Sequence, residues 1–250
     1  MISTFDEPVW PGVNYQNPEL SLLSTRQINW PNWNLPGPFI TADLKQDLFY
    51  PEFFLGKWKV YSFDLVAENK KLVKHEASFK LDSSGRVIGD RAFNAKSLGK
   101  QILGEHLIDV VEAPNSPNSQ LALFNEGEYL ETKVIGRRQE TTTLNTLLTD
   151  ELYLQIVHSL SPSRINQVET LSRFSLCQDL SISFKELGQG SICGEQWQVR
   201  YNAPGETLRA KVVASNHYLL LFIPQQNQLP SIDFLSDLAN QIKVREADYH

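Results

Sequence analysis

Arg91 and Asn94 are the residues whose types and placement come closest to chemistry in this 250-residue chain. They stand in the first turn of a helix predicted over 91–103, with Asp90 at its N-cap and Gly104 as its stop. A helix N-terminus offers free N–H groups and partial positive charge, and a guanidinium adds a planar fork of donors. Together they suit the acid end of a ligand. They equally suit a structural joint in which Arg91 pairs with a strand carboxylate. Glu169 is the candidate partner, because an unpaired carboxylate in mid-strand would be costly to bury. Ala95, Leu98 and Ile102 share one face of the helix and Lys96 and Lys100 another. The helix is therefore expected to lie over a sheet, with Arg91 reaching inward.

Other chemistry finds no support in the spacing. The five histidines (His75, His106, His158, His217 and His250) form none of the close pairs that metal sites use. There is no nucleophile elbow and no phosphate-cradling glycine loop; Gly188-Gln189-Gly190 reads as a hairpin turn. The acid pairs Glu126/Glu128 and Glu105/Asp109 read as solvated charge. No catalytic residue, metal or cofactor is assigned. The net charge of -6 repels phosphates, so neither nucleic acid nor an anionic membrane is an expected partner. No stretch approaches the roughly 20 apolar residues of a membrane span. The opening MISTFDEPVWPG lacks the pattern of a signal peptide, so the chain as given is expected to be cytoplasmic.

The elements that must position these residues are mostly strands. Hydrophobic residues make up 41% and charged residues 21%, which allows a sizeable core. Residues 1–46 carry six prolines and Trp10, Trp30 and Trp33, and read as an irregular extension that docks on the domain or on a protein partner. Residues 47–250 read as one domain. A first hairpin covers 57–81, and further strands are expected at 106–113, 119–125, 128–139, 166–177, 180–187, 191–202, 207–215 and 217–223. Pro-, Asn- and Gly-rich turns separate them. Besides 91–103, helices are expected near 147–158, where Leu148, Leu152 and Ile156 fall at spacing four, and at 231–242. The fold class is mainly β: an antiparallel barrel of about 8–10 strands with short helices. If 166–177, 180–187 and 191–202 form a meander, Cys177 and Cys193 lie at opposite ends of the sheet, on the order of 20 Å apart, and do not form a disulfide.

Phe53-Phe54-Leu55-Gly56-Lys57-Trp58 resembles the Gly-x-Trp opening of lipocalin-like barrels, where the tryptophan plugs the closed end. The longer stretch Asp47 to Trp58, the run Asp90-Arg91-Ala92-Phe93-Asn94 followed by Ser97-Leu98, and the weaker Asn115–Asn118 and Gln167–Thr170 are similar to motifs of an uncharacterised family of cyanobacterial and chloroplast proteins. Many of its members carry lumen-targeting leaders. The resemblance implies a lipocalin-like (calycin-type) barrel, a link to photosynthetic organisms, and a thylakoid-lumen location if a leader has been removed. It implies no reaction. Trp58, Arg91, Phe93, Asn94 and Glu169 are the candidate ligand-binding residues. The leading reading is a non-enzymatic binding or accessory protein for an apolar anionic ligand or pigment, or for photosynthetic assembly. The alternatives are a bilin-lyase-like chromophore attachment factor and a scaffold that binds a protein partner through residues 1–46.

Overall fold

The computed structural model describes residues 21–33, 36–37, 46–67, 72–113, 116–141, 146–159, 163–179, 190–207 and 209–225. The strand expected at 180–187 and the helix expected at 231–242 lie outside them. Eleven strands form one antiparallel sheet: β1 (Phe49–Tyr50), β2 (Gly56–Asp64), β3 (Leu72–Leu81), β4 (Val87–Gly89), β5 (Leu107–Ala113), β6 (Ser116–Phe124), β7 (Tyr129–Thr141), β8 (Leu147–His158), β9 (Arg164–Leu176), β10 (Ile192–Tyr201) and β11 (Val212–Pro224). Their order across the sheet is β1-β4-β3-β2-β11-β10-β9-β8-β7-β6-β5. From β5 to β11 each strand pairs with the next in sequence, as an antiparallel meander does. The sheet curls into a half-barrel, consistent with a lipocalin-like open barrel.

Two α-helices complete the described fold. α1 (Leu22–Ile28) falls in the segment read as irregular, and Ser21 caps it by accepting from the Ser24 N–H at 3.1 Å. α2 (Arg91–Leu103) has the expected bounds, and Gly104 ends it at φ 60°. Asp90 holds the N-cap position without a side-chain hydrogen bond to the helix; its carboxylate lies 3.4 Å from Lys80 Nζ.

Three sequence expectations are corrected. The strands expected at 207–215 and 217–223 are one strand, β11 (Val212–Pro224). The helix near 147–158 is strand β8. A spacing of four is a multiple of the strand period of two, so Leu148, Leu152 and Ile156 share a strand face as readily as a helix face. Cys177 and Cys193 are joined by a disulfide, with Cα atoms 4.9 Å apart. β9 and β10 are direct neighbours, with Cys193 opposite Ser175, so the expectation of an intervening strand was wrong.

Strand alternation gives the sheet two buried faces. On the inner face, Phe54, Trp58, Phe79, Phe174 and Phe222 form the core at one end, and Trp58 donates its indole N–H to the Phe54 carbonyl at 2.7 Å. Gly194 leaves room there, since a Cβ on it would sit 2.5 Å from the Phe174 ring. On the outer face, Leu148, Leu171, Trp197, Val199 and Tyr201 pack with Leu23 and Trp33 of the N-terminal segment. That segment docks on its own domain.

Candidate functional site

α2 connects β4 to β5 and packs between β3 and β5. Side chains of the helix fasten it to β3 by imitating a neighbouring strand. The Asn94 amide accepts from the Ser78 N–H at 2.7 Å and donates to the Ser78 carbonyl at 3.1 Å. Ser97 Oγ accepts from the Glu76 N–H at 2.8 Å. On the other side, Lys96 Nζ meets Asp109 of β5 at 2.8 Å. Asn94 is thus a joint. Phe93 is 37% exposed.

Beneath α2 is a cavity of about 540 Å³, within the range of small-molecule sites. Its roof and one end are apolar: Leu98, Ile102 and Leu103 of α2, with Leu107, Phe124 and Leu130. Its floor is polar and uncharged: Gln120, Thr132, Gln155, Thr170, Gln196 and Gln198, all on the inner face. No helix of the described residues is long and apolar enough to cross a membrane, and they hold no group of three or more potential metal ligands.

A cluster of four charges closes one end. Arg91 Nε donates to Asp47 Oδ1 at 2.7 Å and its Nη2 to Glu151 Oε1 at 3.2 Å. Arg137 donates to the same Glu151 oxygen from Nε at 2.8 Å and from Nη2 at 2.6 Å, and Tyr153 donates its hydroxyl to Glu151 Oε2 at 2.6 Å. Burial opposes ionisation of Glu151, but Arg91 and Arg137 outweigh it and hold the carboxyl down at about 2. Burial, with the Glu151 charge beside it, pushes the Tyr153 phenol well above its usual range. Arg91 therefore makes the expected inward contact with different partners. Glu169 is on the opposite face of the sheet, where its neighbours in β9, Val168 and Thr170, are on the inner one.

There Glu169, fully buried, binds Arg26 of α1, accepts from the Tyr201 hydroxyl at 2.7 Å and from the Gly37 N–H at 2.8 Å. Arg26 also approaches Asp150 at 3.4 Å and lies 4.5 Å over the Trp33 ring. Further along, Glu195 joins Arg173 at 2.9 Å and His217 at 3.3 Å. Burial resists the Glu195 charge, but Arg173 and His217 hold its carboxyl at about 2.

Of the five residues singled out from the sequence, Arg91 and Asn94 border the cavity, Trp58 sits in the adjoining core, Phe93 is partly exposed and Glu169 belongs to the outer face. The glutamine floor was missed. Its signal is in the sequence, since Gln196 and Gln198 alternate with Trp197 and Val199. In a strand that alternation ordinarily marks water on the polar side; here the polar side faces a cavity.

Fold and site together define an antiparallel half-barrel with a cavity roofed by a helix. The chain belongs to a family described as a domain of unknown function, DUF6816, whose profile matches residues 44–216. That match takes in α2 and every residue that lines the cavity, and begins after α1. No curated protein and no solved structure matches the chain.

Proposed function

We propose that this is a non-enzymatic binding protein that holds an amphipathic small molecule beneath α2. The observation that carries the reading is the cavity itself, apolar on the helix side and hydrogen-bonding on the sheet side. The resemblance to cyanobacterial and chloroplast proteins supplies a setting for it, in pigment handling or photosynthetic assembly. An acid-ended ligand would have to displace Asp47 or Glu151 from Arg91. The N-terminal arm is a weaker candidate for partner binding, because Leu23 and Trp33 bury their apolar surface against the protein's own sheet. The Cys177–Cys193 disulfide fits an oxidising compartment better than a reducing cytosol, which favours a lumenal location.

The test is binding of an environment-sensitive apolar dye, with Leu98→Trp made to fill the cavity from its roof. The wild type is expected to enhance the dye's fluorescence saturably, and the variant to lose the enhancement while melting cooperatively. Absence of saturable binding, or binding untouched by Leu98→Trp, defeats the proposal.

A further inference from the structure

We infer that the cavity selects an uncharged amphiphile with a polyhydroxylated head: hydroxyls on the glutamine floor and an apolar tail along α2. The inference rests on the reading of this cavity as a binding site and goes on to the chemical class of its ligand.

Charge is the first argument. The ionic groups at the cavity's closed end are two arginines and two carboxylates, Arg91 and Arg137 with Asp47 and Glu151. They cancel, and each is engaged by another. A charged ligand would bring an uncompensated charge beside this neutral cluster, or would have to break one of these pairs.

The floor is the second argument. Gln120, Thr132 and Gln155 stand side by side across β6, β7 and β8, since Gln120 is opposite Thr132 and Thr132 opposite Gln155. Their side chains make no hydrogen bond among the described residues. Two strands away, Gln198 donates to Thr170 Oγ1 at 3.3 Å, which leaves its carbonyl oxygen to accept. An amide carries donors and an acceptor together, and so does a hydroxyl of threonine. A surface of such mixed groups is matched by ligand hydroxyls, which also both donate and accept. A carboxylate or sulfate only accepts and leaves the amide carbonyls unmatched.

The roof is the third argument. Ile102 and Leu103 are 54% and 43% exposed, at the end of α2 away from the charge cluster. An alkyl chain laid along Leu98 toward Ile102 would cover apolar surface that the protein leaves open.

The experiment is calorimetric titration of the full chain with octyl glucoside, octanoate and octanol, which share one alkyl tail, the first two below their micelle concentrations and octanol below its solubility limit. Octyl glucoside is expected to bind tightest and octanoate weakest. Gln155→Leu and Gln198→Leu should each weaken octyl glucoside by about tenfold and leave octanol unchanged, the retained octanol binding showing that the variant is folded. Octanoate binding as tightly as octyl glucoside overturns the inference and leaves the cavity a binding site. Octyl glucoside indifferent to both substitutions also overturns it. If none of the three binds, the reading of the cavity as a binding site falls with it.

Discussion

The two faces of the sheet are built from alternate residues of the same strands and do opposite things. Asp150, Glu169, Trp197 and Val199 point outward, where the Glu169 charge is buried and met by partners from distant parts of the chain. Their immediate neighbours Thr170, Gln196 and Gln198 point inward and line a cavity whose floor is polar, neutral and in part without partners, with the paired Glu151 at one end. The outer face locks and the inner face is left open. Strand alternation lets one sheet do both, because a substitution on one face need not disturb the other.

Breaking the lock should give the largest effect. Glu169→Ala leaves Arg26 and the Tyr201 hydroxyl without their shared acceptor under α1, and is expected to lower unfolding stability by about 3–5 kcal/mol in a urea titration. Dye binding per folded molecule should stay as in the wild type. A loss below about 1 kcal/mol would mean the outer face is not a lock.

Next comes the disulfide, which closes a loop with a sequence separation of 16. Replacing both Cys177 and Cys193 by serine should cost about 3 kcal/mol, measured as a shift of the same urea midpoint. An unshifted midpoint would show that the direct pairing of β9 with β10 holds that region without the bond.

Arg91→Ala acts on the inner face and should cost less, about 1–3 kcal/mol, because Arg137 still holds Glu151 while Asp47 loses its partner. A melting temperature unchanged by this substitution, together with lost binding of an anionic apolar probe, would move Arg91 from joint to ligand contact.

The smallest effect sharpens the comparison through pH. Burial, and then the charge of Glu169, push the Asp150 carboxyl up to about 9, from an ordinary 3.8. Between those values the folded protein holds a proton that the unfolded chain has lost, so this group makes stability fall as pH rises from about 4 to 9. Glu151 and Glu195, held at about 2 against an ordinary 4.5, stabilise the fold above about 4.5 and lose that contribution as pH falls toward 2. Taken together, these three groups favour the fold most at about pH 4–5. Asp150→Asn mimics the protonated form and should flatten the decline between pH 5 and pH 8 in thermal melts. Identical slopes in wild type and variant would refute a proton held on Asp150.

β2, β3, β5, β6, β7, β9, β10, α2 and the place of Trp58 in the core were legible because each depends on local signals: turn residues, a cap position, a glycine stop, apolar alternation. What was not legible depends on pairings across the chain. Arg26 and Glu169 are 143 residues apart and no periodicity links them. The disulfide was missed because 180–187 has strand-like composition, which says nothing about whether it enters the sheet between β9 and β10. β8 was misread because its apolar spacing satisfies two periods at once. The cavity floor was missed because a polar strand face in sequence does not tell water from an internal space.

α2 takes the chain from β4, near one side of the sheet, to β5 at the opposite edge. Asn94 and Ser97 bond to Ser78 and Glu76 of β3 while Lys96 meets Asp109 of β5, so the helix runs alongside β3 and stands between the two sides. It occupies the place of a further strand. A cylinder about 10 Å across fills that gap, held by a few side chains instead of a continuous ladder of backbone bonds. That seam is the part of the wall that can part without breaking a strand pairing.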